Sequence, residues 1–127
     1  MLLELINSKL VDIFGENITI YRENVKAGFE EPAFFVPSSS IKSKPLLNKV
    51  YNIVYSCQVI YFPRPDHVND DIESTELDLT FNFLDLKDYT VHNREFTKSD
   101  DALVFTFDIY GWVNPNKEGT KMKNLAN

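Results

Sequence analysis

Thirteen consecutive residues, Val50 to Phe62 (VYNIVYSCQVIYF), constrain the fold more than any other feature of the chain. Tyr51, Ile53, Tyr55, Cys57, Val59 and Tyr61 fall on one side of an extended backbone, with Asn52, Ser56 and Gln58 among those on the other. A period of two in β-branched and aromatic residues marks a strand. A strand of this length belongs at the centre of a sheet, and Pro63 and Pro65 end it because proline cannot donate to the ladder.

The remaining elements are read outward from that strand. Leu2, Leu3, Ile6, Leu10, Ile13 and Phe14 recur at helical spacing and Gly15 stands where the helix would stop, which predicts an amphipathic first helix. Ile18 to Tyr21 reads as a short strand, followed by a polar link from Glu23 to Glu31, and Pro32 opens a second strand, Ala33 to Val36. Ser38 to Ser43 fits either a loop or an exposed extension of that strand running towards Pro45.

After the acidic loop Asp66 to Asp71 two periods compete. Leu77, Leu79, Phe81 and Phe83 alternate as in a strand, whereas Ile72, Leu79, Phe83 and Leu86 share one helical face. About 15 residues between turn signals is long for a strand, so a second helix is expected. Tyr89 to Phe96 and Leu103 to Val113 then read as a hairpin about the turn Lys98-Ser99-Asp100-Asp101. In its last strand Leu103, Phe105, Phe107, Ile109 and Val113 share one face, and Thr106, Asp108, Tyr110 and Trp112 the other.

The resulting order, α-β-β-β-α-β-β, predicts an α+β fold, a mostly antiparallel sheet with two helices packed on one face. With 127 residues, 43% of them hydrophobic, one domain over residues 1–114 is expected. Residues 115–127 lack periodicity and aromatics and are expected to form a mobile C-terminal tail.

Charge and cysteine content narrow the partners. A formal charge of −6 at pH 7 repels phosphate backbones and anionic bilayers, so neither specific nucleic-acid binding nor a membrane partner is expected. Cys57 is alone, which removes an internal disulfide and points to a reducing compartment. The first residues include Glu4, Lys9 and Asp12 without a small-residue cleavage site, and no apolar run approaches the roughly 18 residues that span a bilayer. Synthesis in the cytoplasm is the expectation.

Catalytic chemistry finds little material. Asp66, His67, Asp70 and Asp71 crowd one loop, but two His and one Cys in the whole chain make poor transition-metal ligation, and the loop lacks the glycine and ligand spacing of a calcium-binding loop. Cys57 lies inside a strand with no nucleophile-elbow motif, and His92 begins a polar trio with Asn93 and Arg94. Four glycines form no phosphate-binding pattern. No catalytic residue, metal site or cofactor is expected, and the chain reads as a non-enzyme. Tyr21, Phe29, Phe34, Tyr110 and Trp112 are more aromatics than two helices on one face need as core. Self-association is the simplest cover for the opposite face.

Residues 18–36, ITIYRENVKAGFEEPAFFV, carry a turn into a strand, Gly28-Phe29-Glu30-Glu31-Pro32-Ala33-Phe34-Phe35. A later hairpin runs from Asn93-Arg94 through Asp101-Ala102-Leu103-Val104-Phe105-Thr106-Phe107-Asp108-Ile109. In these motifs, and in element order over nearly its whole length, the chain resembles the tail terminator proteins of tailed phages and of prophage-derived, contractile tail-like particles in Gram-positive bacteria. The alternation of Leu77 to Leu86 departs from the second helix of that family. The resemblance implies a virion structural protein that assembles as a hexameric ring on the head-proximal end of the tail tube. There it stops polymerisation and presents a surface for the head connector.

The implied partners are further copies of the chain, tube and sheath subunits, and a head-connector protein. The implied location is the host cytoplasm during assembly, then the virion or tail-like particle. Candidate subunit contacts are Tyr21, Gly28, Phe29, Glu30, Glu31, Phe34, Arg94, Asp108, Tyr110 and Trp112. The same residues also admit local roles: Gly28 as a permissive turn, Pro32 as a strand start, and Arg94 with Asp108 as an intramolecular pair. Another head-tail connector or baseplate subunit is an alternative, as is a monomeric ligand-binding or enzymatic domain whose pocket uses His67, His92 or Asp66.

Overall fold

The structure is a computed structural model that describes residues 2–21, 30–47 and 50–113. Its elements are α1 (Leu2–Phe14), β1 (Ile20–Tyr21), β2 (Ala33–Phe35), β3 (Ser40–Pro45), β4 (Tyr51–Phe62), α2 (Val68–Asn82), β5 (Asp85–Leu86), β6 (Tyr89–Thr90), β7 (His92–Ser99) and β8 (Ala102–Val113). The class is α+β with two helices and a mostly antiparallel sheet, as the sequence pattern predicts. The difference lies in short strands. Ser40–Pro45 pairs as β3, Asp85–Leu86 and Tyr89–Thr90 form a small separate hairpin, and β7 starts only at His92.

The main sheet runs β1-β2-β4-β8-β7, with β3 also beside β4. β4 and β8 form its spine, antiparallel from Tyr51↔Val113 to Tyr61↔Leu103. β2 and β3 lie on the same side of β4: β2 opposes Phe62 to Ile60 and β3 opposes Ser56 to Tyr51. The polar stretch after Pro37 is therefore a strand extension, exposed at all six β3 positions. β1 joins β2 in parallel, with Ile20 opposite Phe34.

Period two sorts side chains to the two faces of the spine. Cys57, Val59, Tyr61, Leu103, Phe105, Phe107 and Ile109 are buried in one cluster with Ile6 and Leu10 of α1 and Ile72 and Leu79 of α2. Phe83 packs its ring against Phe105 and Phe107 at centroid distances of 5.1 and 5.0 Å. The helical reading of the ambiguous segment is correct over Val68–Asn82, where Ile72 and Leu79 are 3% exposed or less while Phe81 is 68% exposed; Phe83 at its end and Leu86 in β5 are buried beyond the helix. Aliphatic and aromatic burial of this kind contributes about 1.5–3 kcal/mol per large side chain.

The β7–β8 hairpin closes on Asp100 and Asp101, both in the left-handed region (φ 50° and 61°) between the paired Ser99 and Ala102. Two such residues in a two-residue loop match the twist of the flanking strands, and aspartate tolerates that conformation better than most residues. Near the other end of β7 the register slips between His92 and Glu95, and Asn93 takes φ 53°. This bulge sets both His92 and Asn93 on the face of Tyr110, while Arg94 stays on the helix-covered side with Phe96.

Candidate functional site

The acidic segment Asp66 to Asp71, expected as a loop, turns into α2 at Val68, and Asp71 in the first turn of that helix is used for packing. Asp71 Oδ2 accepts a hydrogen bond from the Tyr61 hydroxyl at 2.7 Å and another from the Arg64 backbone N–H at 2.9 Å. Burial, then the hydrogen bond and charge of Asp71, push the Tyr61 phenol well above its ordinary pKa. His67 and Asp66 form an exposed pair at 3.5 Å. Among the described residues no group of three His, Cys, Asp or Glu side chains is placed to hold a metal ion.

Cys57 is 3% exposed, and its Sγ lies 3.6 Å from the Ser39 hydroxyl. Burial raises the thiol pKa above its ordinary value, Ser39 opposes the rise, and Asp108 adds to it. A thiol held protonated is a poor nucleophile.

The sheet face opposite the helices carries a more distinctive arrangement. The His92 imidazole stacks on the Tyr110 ring at 4.4 Å and 12°. Asn93, positioned by the bulge, donates from Nδ2 to Asp108 Oδ2 at 2.9 Å and to the Tyr110 hydroxyl at 2.8 Å. Beside this cluster a shallow polar groove of about 460 Å³ is lined by Ser40, Ser56, Gln58, Glu95, Thr106 and Asp108, among others. Tyr110 and Trp112 remain 44% and 37% exposed.

The sequence-derived contact residues separate into distinct environments. Phe34 is 2% exposed and sits between the rings of Phe14 and Tyr61 at 5.1 and 4.7 Å, so it belongs to the core rather than to a docking surface. Arg94 does not pair with Asp108. Its guanidinium donates to the carbonyls of Leu79, Thr80 and Phe83 at 3.3, 2.9 and 3.4 Å, closing the C-terminal end of α2 where unpaired carbonyls and the helix dipole favour a cation. Tyr21 is half-buried and its hydroxyl accepts the Glu30 backbone N–H at 3.1 Å. Glu30 and Glu31 are exposed. Gly28, Phe29 and the C-terminal segment 115–127 lie outside the described residues.

Exposed apolar residues that the sequence reading did not single out form two further patches. Ile41, Leu46 and Leu47 are 61%, 50% and 88% exposed on β3 and the turn after it. Leu77, Phe81 and Leu84 are 51%, 68% and 49% exposed along the outer side of α2 and just beyond it. The alternation from Leu77 to Phe83 held the second signal, because on a helix that alternation must turn two of its members to solvent.

No helix among the described residues is long and apolar enough to cross a membrane. A search among curated proteins gives no match. The model of the phage tail terminator protein family matches residues 1–121, nearly the full length of the 127-residue chain. The chain therefore belongs to the phage tail terminator family, a family of virion structural proteins.

Proposed function

We propose that this protein closes the head-proximal end of the tail tube as a hexameric ring, ends tube polymerisation and offers the head connector its docking surface, without catalysing a reaction. The observation that carries this reading is the family match across residues 1–121. The open sheet face is compatible with it: exposed Tyr110 and Trp112 beside the Asn93–Asp108 cluster are the aromatic and polar mixture of a protein interface. Tyr21, Gly28, Phe29, Glu30, Glu31, Asp108, Tyr110 and Trp112 are the proposed contact residues, with Arg94 acting from behind by fixing α2 against β7. Partners are further copies, tube and sheath subunits, and the head-connector protein. Assembly takes place in the host cytoplasm and ends in the virion or tail-like particle. A subunit of charge −6 lets tail DNA slide past rather than stick.

The test is removal of the gene from a producing strain, with tail lengths measured by electron microscopy. Overlong tails without heads, returned to uniform length and headed particles by the restored gene, support the proposal. Tails of unchanged length that still join heads overturn it.

A further inference from the structure

Charge is segregated along this chain, and the fold places the two blocks on different surfaces. Between Glu31 and Asp66 the sequence contains no acidic residue and four basic ones, Lys42, Lys44, Lys49 and Arg64. From Asp66 to Asp88 it contains eight acidic residues and a single lysine, Lys87. The first block supplies the edge strand β3, whose six residues are all exposed, with Lys42 and Lys44 on one strand face beside Val54 and Asn52, Ile41 on the other beside Tyr55, and Leu46 and Leu47 following. The second supplies the outer side of α2. There Asp70, Glu73, Leu77, Asp78 and Phe81 are all exposed, and their spacing places them on the side away from buried Ile72, Thr75 and Leu79.

Each surface thus combines two or three exposed apolar side chains with one sign of charge. Among the described residues none of Lys42, Lys44, Glu73 and Asp78 has an ion-pair partner; Asp85 of the second block, which pairs with Lys9, lies in β5 and not on α2. Pairing like surfaces would set lysines against lysines or carboxylates against carboxylates, which is strongly unfavourable. Pairing unlike surfaces matches charge and buries leucine, isoleucine and phenylalanine together.

We propose that β3 and the turn after it dock on the outer face of α2 of a second copy of this chain, head to tail. Because two different surfaces meet, a pair of copies keeps one strand surface and one helix surface free between them, and assembly continues until a ring closes. This names a subunit contact for the ring proposed above, and it rests on that reading only for the ring's place on the tail.

Charge exchange in the full-length protein tests the contact, with sedimentation velocity at low salt as the readout and circular dichroism confirming that each variant is folded. Lys42→Glu/Lys44→Glu alters the strand, and Glu73→Lys/Asp78→Lys alters the helix without touching its first turn. Each double variant is expected to lose association roughly tenfold or more. Mixed together, the two should recover assembly with the variants alternating, because the strand of each is complementary in charge to the helix of the other, while neither variant is complementary to itself. The quadruple variant, complementary again, should recover the wild-type assembly.

Folded double variants that assemble like wild type overturn the proposal. So does a mixture that stays monomeric, or a wild-type protein that remains monomeric at millimolar concentration. Tail capping by the same proteins separates this contact from the proposed function. Charge variants that still cap tubes sink the docking proposal alone, whereas wild-type protein that fails to cap sinks the terminator reading and leaves the charge exchange to decide the contact.

Discussion

At the scale of single residues, two polar side chains hold the helix layer to the sheet. Arg94 reaches three carbonyls at the end of α2, and hydrogen bonds from a charged donor contribute about 1.5–3 kcal/mol each before shared desolvation is counted. Arg94→Met should therefore destabilise the fold by about 2 kcal/mol, read as a lower denaturant midpoint with an unchanged slope, and Arg94→Lys should recover part of the loss. Tyr61 gives a pH signature. Its phenol is raised by burial and by Asp71, so the native state holds the proton after the unfolded chain releases it near pH 10. The stabilisation is fully present below that pH and is lost as pH rises towards the folded value, since unfolding then releases a proton. Tyr61→Phe should cost about 1 kcal/mol at pH 7 through the lost hydrogen bond. It should also show a shallower alkaline decline than wild type in denaturation measured from pH 8 to 11.

At the scale of elements, α2 separates what periodicity reveals from what it hides. Leu79 and Phe81 are two residues apart and would share a face on a strand, yet one is 1% and the other 68% exposed. Leu79→Ala should cost about 3 kcal/mol, while Phe81→Gln should change stability by less than about 0.5 kcal/mol. Equal losses at both positions would restore the strand reading. The long strands β4 and β8 were legible because Ile53, Cys57, Val59 and Tyr61 on one and Leu103, Phe105, Phe107 and Ile109 on the other are buried along one face, so their alternation is strong. β3 was not, since all six of its residues are exposed and no buried face imprints a pattern on them. The partner of Arg94 was hidden for a different reason: its place two residues before Phe96 sets it on the helix side of β7, but nothing local in the sequence shows that the end of α2 lies there to receive it. Phe34 was assigned to a surface because the sequence does not show that Phe14 and Tyr61 enclose it.

At the scale of the whole molecule, the described helices cover one face of the sheet and the described residues leave the other open, and the sheet extends along β3 beyond β2. Trp112 lies on the open face, opposite Asn52 of β4, which in turn opposes Lys44 of β3. That row crosses the end of the sheet where β3, β4 and β8 run side by side. A tryptophan 37% exposed in this setting contributes modestly to folding, but it can contribute 2 kcal/mol or more, roughly thirtyfold in affinity, when a partner desolvates it. Trp112→Ala should therefore leave the denaturation midpoint within about 1 kcal/mol of wild type while weakening self-association by about thirtyfold in sedimentation. Because the indole carries no charge, the loss should persist at high salt, where contacts between lysine and carboxylate fade. A Trp112→Ala protein that associates normally but unfolds early would instead make the indole a structural support of the β3 end of the sheet, and would move the subunit contact elsewhere.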